Sequence, residues 1–168
     1  MGRCCMGFAK VFAELQPDIV MVLGDRYELL SVCSAALVMN IPIAHVSGGD
    51  VTIGAIDNEV RNAITMMSTL HFPGVEGSAQ NIIRMRNSSE NVWTVGEPGL
   101  DNFRRSALMT RQELAEGIGI PIENKWILVT LHPETNESLE YNLQMAKNIV
   151  SLTDSKEGIS IIISKANA

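Results

Sequence analysis

Residues 18–28 read Asp-Ile-Val-Met-Val-Leu-Gly-Asp-Arg-Tyr-Glu, and this stretch decides the fold class. It begins as a short run of β-branched and apolar residues without helical periodicity, which is typical of a parallel strand covered on both faces. The run ends at Gly24, and the charged residues Asp25, Arg26 and Glu28 lie directly before an apolar stretch that predicts a helix. Because ligands bind beyond the carboxyl ends of strands in open α/β sheets, Asp25 is either a functional carboxylate or the N-cap of that helix.

The rest of the chain alternates between predicted helices and predicted strands. The helices are predicted over 2–15, 27–39, 56–68, 77–86, 110–116 and 138–152, and the strands over 18–24, 41–46, 70–72, 91–95, 126–131 and 159–163. This alternation predicts an α/β protein with parallel sheets and helices on both faces. Gly and Pro residues at 118–124 predict a linker between one domain, residues 1–117, and the start of a second, residues 125–168. The first helix has no strand before it and the last strand has no element after it, so we expect a segment of a longer chain.

Composition and charge narrow the function classes. The chain has 168 residues, of which 46% are hydrophobic and 19% charged, and this indicates a globular protein with a substantial core. A formal net charge of −6 without a basic run argues against a nucleic-acid partner. We interpret Cys4, Cys5 and Cys33 as reduced, buried thiols, and their spacing predicts no metal site. Since no membrane span or signal pattern is visible, we expect a cytoplasmic protein without a membrane partner.

Three carboxylates follow predicted strand ends: Asp25, Asp50 and Asp57. Because the loops after parallel strands share one edge of the sheet, we expect these side chains to lie close together. Converging carboxylates are suited to proton abstraction, and Gly48 and Gly49 would let the backbone approach a ligand closely. The alternative is that they are helix caps and solvated loop residues, which explains Asp57 well and the Gly-Gly-Asp combination poorly.

Basic and imidazole side chains complete the set of candidates. Arg26 or Arg61 could face an anionic group, and helix N-termini add backbone N–H groups for a phosphate. His132 follows a predicted strand of the second domain, so we expect it on a loop that faces the cleft between the domains. His45 and His71 lie among apolar neighbours and are predicted to be core histidines.

Five longer motifs occur in order over nearly the whole chain. They are Met-Val-Leu-Gly-Asp-Arg-Tyr-Glu (21–28), Ile-Pro-Ile-Ala-His-Val-Ser-Gly-Gly-Asp (41–50), Gly-Ala-Ile-Asp-Asn-Glu-Val-Arg-Asn-Ala-Ile-Thr (54–65), Gly-Glu-Pro-Gly-Leu-Asp-Asn (96–102) and Leu-Val-Thr-Leu-His-Pro-Glu-Thr (128–135). Together they resemble the hydrolysing UDP-N-acetylglucosamine 2-epimerases of sialic and legionaminic acid synthesis, a family that includes UDP-N,N'-diacetylbacillosamine 2-epimerases. The resemblance implies a glycosyltransferase-B-like fold of two Rossmann-like domains. This chain would hold the C-terminal part of the first domain and the incomplete start of the second.

The resemblance also implies a reaction and a set of site residues. A base removes the C2 proton of the UDP-sugar, UDP leaves from C1, and water adds to the resulting glycal with inversion at C2, without a cofactor. The matching catalytic positions are Asp25, Asp50, Asp57 and His132, and the residues that would contact the substrate are Arg26, Ser47, Gly48, Gly49, Arg61 and Glu134. The identity of the UDP-sugar stays open, and so does homo-oligomerisation.

Several positions depart from the family pattern, among them Asn62, which replaces a usual His, and Met66 and Val75, which replace usual polar residues. Ser47 stands where several relatives carry an acidic residue or His, and Asp50 replaces a Glu. Two other functions stay open at this point. One is a glycosyltransferase of the same fold, which would need a sugar acceptor in place of water. The other is an inactive, truncated fragment that binds a nucleotide sugar.

Overall fold

The computed structural model describes residues 1–105, 107–134, 136–151 and 157–165. The elements in chain order are α1 (Gly2–Leu15), β1 (Val20–Leu23), α2 (Leu29–Val38), β2 (Ile43–Val46), α3 (Asp57–Met67), β3 (Leu70–Phe72), α4 (Glu76–Arg86), a 3-10 helix (Pro98–Asp101), α5 (Asn102–Arg105), α6 (Arg111–Ile118), β4 (Lys125–Thr130), α7 (Leu139–Ser151) and β5 (Ile159–Ser164). The chain divides into unit 1, Met1–Asn102, and unit 2, Phe103–Ala168, and each is described here by itself.

Unit 1 is built on a parallel three-stranded sheet in the order β1-β2-β3. The register aligns Val22 with His45 and His45 with His71, so these three side chains share one face of the sheet. Strand β2 lies in the middle, and its first three residues are buried on both faces, as the uninterrupted apolar sequence predicts. The predicted α/β class with parallel sheets flanked by helices is confirmed.

Helices α1, α2 and α3 cover the face of the sheet that carries Val22. The core there consists of Phe12, Val22, Cys33, Ala35, Ala36, Ile43, Val60 and Ile64. On the opposite face of β1, Met21 and Leu23 are exposed, at 68% and 61% of their surface. His45 and His71 are fully buried, which confirms that they are core histidines.

Unit 2 contains a parallel pair of strands, β4 and β5, in register from Lys125 opposite Ile159 to Thr130 opposite Ser164. Helix α6 begins with a capping box, in which Thr110 and Glu113 exchange side-chain to backbone hydrogen bonds. Arg111 lies over the ring of Trp126 at 3.9 Å and donates to the carbonyl oxygens of Ile122 and Asn124. This side chain therefore attaches the segment after α6 to β4.

Several sequence predictions differ from the structure. The strand predicted over 91–95 forms only an isolated parallel bridge, His71 to Val92, because Asn91 (φ 60°) and Gly96 (φ 85°) turn the chain on either side. The 3-10 helix and α5 were not predicted. Cys4 is exposed rather than buried, since it lies on the outer side of α1.

The predicted domain limits, residues 1–117, 118–124 and 125–168, stay a prediction. The compact units divide earlier, between Asn102 and Phe103, so that α6 belongs to unit 2. Within the described ranges, no helix combines the length and the apolar character needed to cross a bilayer.

Candidate active site

Asp25 lies at the carboxyl end of β1. Gly24 turns the chain with φ 79°, and its N–H donates to the Val46 carbonyl oxygen at 3.0 Å, so the turn is attached to the end of β2. Helix α2 begins later, at Leu29, and its N-cap position is occupied by Glu28. The alternative that Asp25 caps this helix is therefore wrong. Its carboxylate instead accepts a charged hydrogen bond from Arg61.

Arg61 connects the loop after β1 with the loop after β2. Its Nη2 donates to Asp25 Oδ2, while Nη1 donates to the Asp50 carbonyl oxygen at 2.9 Å and to Thr52 Oγ1 at 3.0 Å. The Arg61 side chain is 8% exposed and the Asp25 side chain 28% exposed. A guanidinium with fixed fork geometry on the buried face of α3 therefore orients the carboxylate toward the surface.

The two glycines of the loop after β2 are in close contact with other parts of the protein. A methyl group on Gly48 would lie 2.7 Å from His45 Nδ1, and one on Gly49 would overlap the backbone carbonyl of Ser78. Gly49 also has φ 84°, a conformation that L-residues with side chains rarely adopt. His45 and α4 fill the space beside the two Cα atoms, so both glycines are required for packing, and their contact with a ligand stays a prediction.

Helix α4 supplies two polar contacts to the same loop. Ser78 Oγ donates to Asp50 Oδ1, and Asn81 Nδ2 donates to the Gly49 carbonyl oxygen at 2.8 Å. Since these side chains are three residues apart, they lie on one face of the helix. An open cleft of about 570 Å³ adjoins them, lined by Asp50, Val51, Thr52, Arg61, Val75, Gly77, Ser78, Asn81 and Arg84.

His45 supports the turn that carries Asp25. Its Nε2 lies 2.8 Å from the Gly24 carbonyl oxygen, and because a carbonyl only accepts, Nε2 carries the proton. The Thr65 hydroxyl lies 3.2 Å from Nδ1 and donates to it. Burial lowers the pKa of His45, so this histidine is neutral and holds Gly24 in place.

The structure also contains polar partners that sequence reasoning missed: Thr52, Thr65, Ser78, Asn81 and Glu97. The three-residue spacing of Ser78 and Asn81, which places both side chains on one face of α4, was the one sequence signal that could have indicated them. Thr52 belongs to the loop after β2 itself and Thr65 to α3, whereas Glu97 approaches from a position distant in sequence, and no local pattern distinguishes these three.

The remaining predicted site residues are placed as follows. Arg26 is exposed and pairs with Glu28 at 2.9 Å, while Asp57 is the first residue of α3, one turn before Arg61. In unit 2, His132 and Glu134 lie on the exposed loop after β4. Among the residues described, no three His, Cys, Asp or Glu side chains are grouped so as to hold a metal ion. The catalytic and substrate-binding roles of all these residues stay predictions.

Comparison with known proteins places this arrangement in a family. The chain matches, over residues 1–168, the sequence model described as UDP-N-acetylglucosamine 2-epimerase. The chain belongs to this epimerase family. The family identified from the sequence motifs is confirmed.

Individual relatives agree with this assignment. The chain is 32% identical over its full length to a GDP/UDP-N,N'-diacetylbacillosamine 2-epimerase (hydrolyzing) of Campylobacter jejuni, of which it covers 44%. It is 38% identical over 137 residues, 82% of the chain, to the UDP-N,N'-diacetylbacillosamine 2-epimerase (hydrolyzing) of Legionella pneumophila, of which it covers 36%. The chain therefore spans less than half the length of these relatives.

Solved structures show the same fold. The crystal structure of UDP-GlcNAc 2-epimerase from Neisseria meningitidis, bound to UDP-GlcNAc, matches 98% of this chain with a TM-score of 0.79 at 20% identity. The chain covers 46% of that structure. The partial glycosyltransferase-B-like fold expected from the sequence is confirmed.

Proposed function

We propose that the full-length protein is a hydrolysing UDP-sugar 2-epimerase. It converts UDP-N-acetylglucosamine and water to N-acetylmannosamine and UDP, or performs the equivalent reaction on UDP-N,N'-diacetylbacillosamine. Support comes from the family and from the names of the relatives, of which two are hydrolysing diacetylbacillosamine epimerases. The observation that carries the proposal is Asp25, a partly exposed carboxylate at a strand end that buried Arg61 orients.

The chemistry requires a positioned base. The sugar C2–H is not flanked by a carbonyl and is therefore weakly acidic, so its removal must accompany departure of UDP. Asp25 takes the proton, the C2–H electron pair becomes the C1=C2 double bond, and the C1–O bond to UDP breaks. A base that is held in place before the substrate arrives contributes about 10²- to 10⁴-fold to such a step.

The other residues of the edge have supporting roles in this proposal. Asp50, oriented by the Ser78 hydroxyl, and Asp57, at the start of α3, accept hydrogen bonds from sugar hydroxyl or amide groups. Arg61 holds Asp25 and the Asp50 backbone together, so that both carboxylates keep a fixed separation. His132 lies near the UDP phosphates and Glu134 contacts the substrate, as the resemblance implies.

Asp25→Asn in the full-length protein tests this function. Asn preserves the shape of the side chain and can still accept the hydrogen bond from Arg61, but it is not a base at neutral pH. We expect turnover to fall about 10²- to 10⁴-fold. Solvent deuterium incorporation at C2 should fall with it, while UDP binding persists. The measurements are UDP release, NMR of the sugar product in D₂O, and UDP binding by calorimetry.

Asp18→Asn is the matched control, since Asp18 is exposed just before β1, away from the carboxyl ends of the strands. This variant should retain wild-type turnover. Near-wild-type turnover of Asp25→Asn would remove Asp25 from proton transfer and leave Asp50 and Asp57 as candidates.

A further inference from the structure

A further carboxylate, that of Glu97, reaches the edge where Asp25 and Asp50 lie. Ser47, the first residue after β2, has φ 57° and donates from Oγ to Glu97 Oε2 at 2.8 Å. This left-handed conformation costs a serine about 1 kcal/mol, so the direction of its hydroxyl is enforced by the surrounding structure. Glu97 is half-buried and lies 50 residues further along the chain.

The fold brings Glu97 to this edge through the segment that follows α4. Residues 92–95 run parallel to β3, and the backbone N–H groups of Trp93 and Val95 donate to the carbonyls of His71 and Pro73. Because the segment is parallel, its end lies at the carboxyl edge of the sheet. The chain then turns at Gly96, and Glu97 precedes the 3-10 helix.

Gly74 provides the space for this carboxylate. A Cβ atom at Gly74, which is buried, would overlap the Glu97 side chain, including Oε1 and Cδ. Two features thus fix one carboxylate: a hydrogen bond at Oε2 and a position over a glycine. Neither ion pair found in the described residues includes Glu97, so its charge has no direct cationic partner there.

We propose that Glu97 is a second acid–base residue of the site, placed to act on the opposite face of the sugar from Asp25, with Ser47 and Gly74 as its positioning residues. The inference rests on the proposed function. Asp25 reaches the loop after β2 from the β1 side through Arg61, and Glu97 reaches it from the β3 side through Ser47. The segment that carries Glu97 is three strands from β1, so the two backbones are separated by about 14 Å, and the Glu97 side chain reaches back over Gly74 to the loop after β2.

Inversion at C2 requires that the proton be removed on one face and returned on the other. Asp25 removes the C2 proton on one face during UDP elimination. Glu97 takes up a proton from solvent and gives it to C2 on the other face while the water oxygen bonds to C1. The proton lost by that water and the proton held by Asp25 both pass to solvent, so the atoms and charges balance.

Glu97→Gln in the full-length protein tests the proposal, because Gln can still accept the Ser47 hydrogen bond but cannot transfer a proton. We expect UDP release to fall less than about 10-fold and formation of the free epimeric sugar to fall about 10²-fold. The glycal should therefore accumulate, which NMR and mass spectrometry of the reaction mixture detect. Glu90→Gln, at an exposed position of unit 1, is the control and should show wild-type product ratios.

The outcomes separate the two proposals. A wild-type protein that releases no UDP from either UDP-sugar overturns the proposed function itself. An active wild type whose Glu97→Gln variant shows no glycal, whether sugar formation is unchanged or falls together with UDP release, overturns the role of Glu97 alone.

Gly74→Ala tests the positioning. The added methyl group must displace the Glu97 carboxylate, so the ratio of glycal to free sugar should rise as it does in Glu97→Gln, and it should rise no further in the double variant. Gly99→Ala is the control, because no atom lies within 4 Å of the added methyl group there. An unchanged ratio in Gly74→Ala would overturn the assignment of Gly74.

Discussion

The two units differ in how they hold polar side chains. Unit 1 buries seven of them: Ser31, His45, Arg61, Thr65, Ser68, His71 and Ser78. In the described part of unit 2, Ser160 is the one buried polar side chain. Asp25 and Asp50 of unit 1 are therefore oriented by the buried side chains of Arg61 and Ser78, whereas His132 and Glu134 of unit 2 lie on an exposed loop.

The difference follows from the number of packed elements. Unit 1 has a central strand buried on both faces, and a buried polar group there is stabilised only if it finds a partner. In unit 2, Ile127 and Leu128 of β4 remain 45% and 69% exposed. Contacts such as Arg111 with Trp126 therefore form at the surface, where they contribute less. Each prediction below compares a buried contact with a surface contact.

The largest effect is expected from Arg61→Leu. The change leaves the Asp25 carboxylate and the Asp50 carbonyl without their donor in a partly buried site, which should cost about 3 kcal/mol of unfolding free energy. Urea denaturation of unit 1, followed by Trp93 fluorescence in a Trp126→Phe background, measures it.

The matched variant is Arg26→Leu, which breaks the exposed pair with Glu28. Surface ion pairs contribute little to the unfolding free energy because water and salt screen them, so the urea midpoint of unfolding should be unchanged. Equal midpoint shifts for the two arginine variants would show that burial does not distinguish the contacts.

The next effect concerns pH. Burial, followed by the neighbouring Arg86 and His45, lowers the pKa of His71 to about 4. In the unfolded chain, His71 binds this proton near pH 6.5. Its contribution to the unfolding free energy is therefore fully present above that pH and is lost as the pH falls toward 4. At pH 5 the loss from His71 should be about 2 kcal/mol.

His71→Leu removes this titration. Its unfolding free energy should therefore decline less than that of wild type between pH 7 and pH 5, as measured by urea denaturation at each pH. Parallel pH profiles for the two proteins would contradict a depressed pKa at His71.

The smallest effect is expected in unit 2. Arg111→Ala removes the cation–π contact with Trp126 and two hydrogen bonds to carbonyl oxygens. Because Arg111 is exposed, the loss should be about 1 kcal/mol, accompanied by a change in Trp126 fluorescence. Lys147→Ala, on the exposed side of α7, is the control and should leave the unfolding free energy unchanged. If Arg111→Ala lost as much unfolding free energy as Arg61→Leu, the two units would not differ in this way.

Local patterns predicted the elements well where one periodicity dominates. The apolar run that ends at Gly24 is β1, residues 70–72 are β3, and Thr110 with Glu113 caps α6 as expected. The predicted strand at 91–95 was wrong in extent because two left-handed residues shorten it. Its mixed composition gave no sign of the turn at Asn91.

The sequence by itself determined the α/β class, the family and the placement of Asp25 and Asp50 in loops after strands, because the edge that parallel strands share follows from the βαβ alternation. Only the tertiary structure decided the partners of these groups. Arg61 is 36 residues from Asp25, and Glu97 is 50 residues from Ser47. Contacts across such separations depend on how strands and helices pack in three dimensions, and a one-dimensional periodicity carries no information about them.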